Sequence, residues 1–310
     1  GGSGKTTAML QLAAALQPSH AVLWIALDRD DDDPNRFFAA LAAATASLDL
    51  SWEVDRQQLL AGVGSDPSRN RAAVAALVNA LCTATAPRIA LLLDDLHRLG
   101  HAGVHRMLEA LLERLPEHVA VVLGSRSRPP LPLERWQAHG ELGEFTLDTL
   151  RFDEPEARAL AEARAGDGGT APAESLVRAA LARSGGWAVG LSMLLQGARG
   201  GPVQEPAAVR GAAGDPRLCA YLASEILAQL PSELQRFATR CAILEELEPA
   251  TCRAIGGDAA PEMLATLLRG NLFVTAIDEY LPVLRFHDLF RDFLRTELER
   301  REPDAIAALH

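Results

Sequence analysis

The stretch GGSGKTT, residues 1 to 7, narrows the possible folds more than any other part of the chain. Gly4, Lys5 and Thr6 end the phosphate-binding pattern G-x-x-x-x-G-K-[ST], a loop that joins a buried strand to a helix. The first glycine of that pattern and the strand that feeds it would precede Gly1. The expectation is therefore a chain cut at its amino end from a longer protein. Composition sharpens the reading. Of 30 basic residues, 29 are arginine and Lys5 is the sole lysine. A compact ammonium fits between phosphate oxygens in a tight backbone loop, where a planar guanidinium is too wide.

A helix is expected over residues 8–16, with its N-terminal N–H groups and positive dipole end at the loop. Ala21–Leu27 (AVLWIAL) reads as a buried strand. DRDDDDP reads as a solvated acidic loop, followed by helices in NRFFAALAAATASL and RNRAAVAALVNALCTAT. In RIALLLDDLHRL, the apolar run Ile89–Leu93 ends in Asp94 and Asp95. That is a buried parallel strand delivering two carboxylates at its C-terminal edge, where open α/β sheets bind ligands. A helix over about 101–115, a strand over Val119–Arg126 and a final strand in GEFTL, near 143–147, complete an alternation typical of a parallel doubly wound sheet. Beyond residue 150 the pattern is helical. Residues 197–216 read as a Gly/Pro/Ala-rich linker. Helices and a short hairpin, LFVTAID and PVLRFH around a turn near Glu279, suggest a winged helix.

In a phosphate loop the backbone of Gly2, Ser3, Gly4, Lys5, Thr6 and Thr7 cradles the phosphates, Lys5 reaches the β- and γ-phosphates, and Thr6 ligates Mg²⁺. Asp94 would complete the Mg²⁺ shell. Asp95 is either a general base for an attacking water or the cap of the next helix. Arg126 is either a γ-phosphate sensor or a surface arginine. His287, before an amphipathic helix, is unremarkable by position alone. Four cysteines without metal-type spacing read as buried reduced thiols. The net charge of −11 argues against a general nucleic-acid surface. Residues 216–300 carry nine arginines against thirteen acids, so the winged-helix segment is not expected to bind DNA specifically. No run of 18 apolar residues marks a membrane span. The expected location is cytoplasmic.

The motifs GGSGKTT, LWIALDRDDDDPNRFFAAL, LLLDDLHRL, GSRSRPPLPLERWQAHGEL, GGWAVGL and LRFHDLFRDFL occur in an order that covers nearly the whole chain. Together they resemble the signal-transduction NTPases with numerous domains, and more narrowly the MalT-like, LuxR-type large ATP-dependent transcriptional activators. The resemblance implies a P-loop nucleotide-binding domain (1–149), a helical lid (150–200), a linker (201–215), a winged helix (216–301) and the start of a helical-repeat region (302–310). It also implies that Arg126 is a sensor arginine, that Gly186 and Trp187 lie in a lid motif near the adenine, and that His287 contacts the ADP β-phosphate. Ala188 stands where the family often has proline. The implied function is an ATP/ADP switch that self-associates when ATP-bound and is reset by slow hydrolysis. Absent C-terminal regions would contact inducer and DNA. An oligomerisation scaffold with little hydrolysis, or the switch of a defence or signalling protein with another effector, are the alternatives.

Overall fold

The computed structural model describes residues 2–165, 172–197, 216–269, 273–277 and 283–303. The chain forms two compact units, residues 5–144, and residues 145–310 together with 1–4.

The first unit is built on a three-stranded parallel sheet in the order β1 (Ala21–Ala26), β2 (Ile89–Asp94), β3 (Val119–Leu123). Leu23 pairs with Leu91, and Leu91 with Val121. Every residue of β2 is buried, as its unbroken apolar run predicts for a strand covered on both faces. The pleat divides its side chains. Ala90 and Leu92 meet Met9 and Ala13 of α1 (Lys5–Leu16) on one face. Ile89, Leu91 and Leu93 share the opposite core with α2 (Pro34–Ala44), α4 (Pro67–Cys82) and α5 (Ala102–Leu112). Helices on both faces make the sheet doubly wound.

Local chemistry sets the helix starts. Asp33 caps α2 by accepting from the Asn35 and Arg36 N–H groups, with Pro34 beginning the first turn. Asp66 and Pro67 repeat the device at α4. The acidic run thus contains more than a solvated loop. Asp32 also accepts from the Gly100 and His101 N–H groups at 2.8 and 2.7 Å. A short helix over Arg56–Gly62 (α3), capped by Asp55, was not evident in the sequence.

The strand expected in GEFTL does not form: residues 141–146 carry no regular structure. Phe145 is 81% exposed. Alternation alone was misleading there: the segment pairs with no strand and buries no side chain. A short helix, α6 (Leu133–Ala138), ends before it, and Gly140 turns the chain at φ 72°.

The second unit contains α7 (Glu154–Ala165), α8 (Glu174–Ser184), α9 (Ala188–Gly197), α10 (Pro216–Glu225), α11 (Ser232–Cys241), α12 (Pro249–Gly256), α13 (Ala260–Arg269) and α14 (Asp288–Arg301). The expected hairpin forms, with β4 (Val274–Ala276) antiparallel to β5 (Leu284–Phe286). Its turn near Glu279 lies outside the described residues, as does the linker expected over 201–215. One apolar cluster runs from Ala157 and Trp187 to Phe290 and Leu294, so the helices before and after the linker share a core. An ion pair between Arg183 and Asp292 ties α8 to α14. Among the described residues no helix is long and apolar enough to cross a membrane. All four cysteines are free thiols; Cys241 and Cys252 are buried, whereas Cys82 is exposed near the end of α4, which corrects the expectation of uniform burial.

Candidate functional site

The end of β2 gathers the predicted carboxylates. Asp94 is buried at 4% exposure. Its Oδ2 accepts a hydrogen bond from the Thr6 hydroxyl at 2.7 Å, and its Oδ1 accepts from the Asp95 N–H at 2.8 Å. Residues separated by 88 positions thus meet because α1 packs over β2. Both oxygen groups expected to hold Mg²⁺ stand side by side. Lys5 is the first residue of α1, preceded by Gly2 at φ 69° and Gly4 at φ 84°, backbone conformations that favour glycine. Gly2 counts with the second unit, where the Val189 N–H donates to its carbonyl at 3.1 Å and a Cβ would meet the Tyr221 hydroxyl.

Burial holds the Lys5 ammonium below its ordinary range, and Arg126 adds to that effect while Asp94 and Asp95 oppose it. Lys5, Asp94, Asp95 and Arg126 therefore share one electrostatic neighbourhood. Asp95 has φ 59°, an uncommon left-handed conformation for a residue with a side chain. It precedes a single turn, Leu96–Arg98, but makes no side-chain cap to it. Its Oδ2 instead accepts from Arg98 Nε at 3.1 Å.

Two contributors were not recognised in the sequence. His97 stands 3.8 Å from Asp95 Oδ1 through a buried Nδ1. Burial and the Arg126 charge push its pKa down to about 4. Gly124, at the end of β3, lies against the carboxylate: a Cβ there would come within 2.5 Å of Asp94 Oδ1 and 2.6 Å of Met9 Sδ. Gly124→Ala should displace Asp94 and cost about 1–3 kcal/mol through overpacking. Urea unfolding measures the cost; an unchanged midpoint would mean the strand end yields freely.

The second unit brings Gly186, Trp187 and His287 together. The His287 Nε2–H donates to the Ser184 carbonyl at 2.8 Å, at the C-terminal end of α8. Arg151 donates to the next carbonyl, that of Gly185, at 3.1 Å. Gly185 and Gly186 have φ of 53° and 77°, and a Cβ on Gly186 would strike the Phe152 carbonyl at 2.7 Å. A pocket here is lined by Arg151, Gly185, Trp187, Phe273, Thr275 and His287. Trp187 is buried, edge-on to Phe273 with ring centres 4.8 Å apart. Phe273 itself is held at φ 56°, a strained value for an aromatic residue. Burial holds His287 below its ordinary pKa, with Arg151 acting in the same direction against the Ser184 carbonyl.

Depressed histidines have a stability consequence. An unfolded chain protonates His97 near 6.5, whereas the folded chain resists until about 4. The unfolded state then binds more protons in that window, so stability falls as pH drops from 6.5. His97→Asn should flatten the urea midpoint between pH 6.5 and about 5; a slope equal to wild type would refute the assignment.

The fold and its site define a chain with a doubly wound α/β unit, carboxylates at its central strand end, and a helical unit that closes on a winged helix. Residues 223–306 match the family model of the MalT winged helix domain. Along its whole length the chain is similar to the HTH-type transcriptional regulator MalT of Yersinia enterocolitica, at 27% identity over 100% of this chain and 34% of the relative. The same regulator from Serratia proteamaculans is 27% identical over the same shares. The serine/threonine-protein kinase PknK of Mycobacterium tuberculosis is 28% identical over 100% of this chain and 28% of the kinase. The chain thus spans about a third of the length of the curated relatives it matches.

Proposed function

We propose that this chain is the ATP/ADP-dependent switch module of a bacterial transcriptional regulator. The observation that carries the reading is the Thr6–Asp94 hydrogen bond, which joins a glycine-bordered helix start to a buried carboxylate beside the only lysine in the sequence. The MalT regulators to which the chain is similar supply the regulatory context. Similarity to a serine/threonine-protein kinase supports a second reading, the same switch serving a different effector.

In this reading the loop N–H groups and Lys5 hold the β- and γ-phosphates, and Thr6 and Asp94 hold Mg²⁺. Bound Mg²⁺ supplies neutralisation of phosphate charge. Asp95 orients water and accepts its proton, and Arg126 offsets negative charge at the same strand edge. In the helical unit, His287 is the candidate phosphate contact and Gly186–Trp187 the candidate neighbour of the base. Slow hydrolysis then returns an active, self-associating ATP form to rest.

Calorimetric titration with ADP and ATP, with and without Mg²⁺, tests the proposal. Asp94→Asn should abolish the Mg²⁺ dependence of affinity. Asp95→Asn should keep affinity and slow hydrolysis by about 10²–10⁴-fold. Wild-type protein that binds nucleotide without turnover would leave a scaffold; absence of binding would defeat the proposal.

A further inference from the structure

His97 is the histidine that faces the carboxylates among the described residues. It lies on the turn Leu96–Arg98, two residues after the strained Asp95. Its side chain is 18% exposed, yet Nδ1 is fully buried and has no hydrogen-bond partner. Asp95 Oδ1 stands 3.8 Å away, a little beyond bonding reach. Asp95 Oδ2 is already engaged by Arg98. Catalytic hydrogen bonds are often long before ligand arrives and tighten in the loaded state. Arg126, Lys5 and burial keep the ring neutral, so it can present an N–H to a carboxylate without adding a charge. A buried polar atom ordinarily finds a partner, and Asp95 Oδ1 is the carboxylate oxygen that stands before this one.

We propose that His97 is the positioning residue of Asp95, donating from Nδ1–H to Oδ1 and orienting the carboxylate that the left-handed backbone of Asp95 presents beside Asp94. The two oxygens of Asp95 are then fixed by different donors, Oδ1 by His97 and Oδ2 by Arg98. This inference rests on the hydrolysis reading for its consequence in turnover, but not for its geometry.

Two substitutions separate the ring nitrogens, since an Asn amide nitrogen mimics Nδ1 and a Gln amide nitrogen mimics Nε2. In the 310-residue chain, His97→Ala and His97→Gln should lower kcat for ATP by about ten-fold or more, with ADP affinity unchanged, and His97→Asn should restore most of the loss. Nitrogen-15 NMR of histidine-labelled protein gives a readout independent of turnover, with His97 expected as the Nδ1–H tautomer. An Nε2–H tautomer overturns the inference. So does a wild-type kcat in His97→Ala, or an Asn variant as slow as the Gln variant. Loss of ADP binding in all three variants would assign His97 a folding role instead and likewise overturn it. A wild-type chain that shows the Nδ1–H tautomer but hydrolyses nothing defeats the hydrolysis reading and leaves the positioning contact standing.

Discussion

Lys5→Ala is expected to weaken Mg·ATP and Mg·ADP binding by about 100-fold or more. A hydrogen bond to a charged group contributes about 1.5–3 kcal/mol, and each 1.4 kcal/mol is about a factor of ten in affinity. No other lysine can replace it. Its ammonium is also partly desolvated beside Asp94 and Asp95, so removal also unbalances the carboxylates. Lys5→Arg is the sharper variant. It retains the charge but substitutes a flat, wide head group, and it should fail nearly as badly if the loop is a close-fitting cradle. Fluorescence titration with a labelled nucleotide measures both. Affinity in Lys5→Arg equal to wild type would show that charge alone matters; unchanged affinity in Lys5→Ala would remove the loop from the site.

Phe290→Ala is expected to destabilise the second unit by about 3–5 kcal/mol. Phe290 is fully buried at the start of α14. Its ring centre lies 5.2 Å from that of Phe273, 5.9 Å from Phe286 and 6.1 Å from Phe293. Truncation would open a void among three rings and loosen Phe273, whose partner is Trp187. Phe290→Leu should cost far less, about 1 kcal/mol, because most of the volume remains. Urea unfolding followed by tryptophan fluorescence distinguishes them. Equal midpoints for the two variants would contradict the packing described for this cluster.

The sequence made some of these features plain and hid others for physical reasons. Asp94 was legible because five apolar residues followed by acids leave little choice but a buried strand with carboxylates at its end. Thr6 was legible through its place in the loop pattern. The hairpin was legible from LFVTAID and PVLRFH, whose VTA and LRF portions alternate, on either side of a turn expected near Glu279. GEFTL shows the same alternation without a partner, and alternation carries no information about partners. Gly124 and His97 belong to a different class. Each matters because of an atom far away in sequence or an angle at its neighbour: a carboxylate packed where a Cβ would sit, and an Asp in a left-handed conformation. His287 was unremarkable by spacing, since only the fold brings its ring to the Ser184 carbonyl.

The complete burial of β2 has a consequence for timescales. Its amides are hydrogen-bonded to strands on both sides and covered by helices on both faces, so they should exchange with deuterium only when the whole first unit opens. Asp94 is the last residue of that strand. Its backbone is therefore expected to be a fixed reference and not a moving part. Any rearrangement at this edge must be carried by pieces with less protection: the Thr6 side chain turning on its rotamer, and Arg98, the exposed residue of the half-buried turn after Asp95. The amides of the turn after Asp95 should exchange faster than those of β2 beside them.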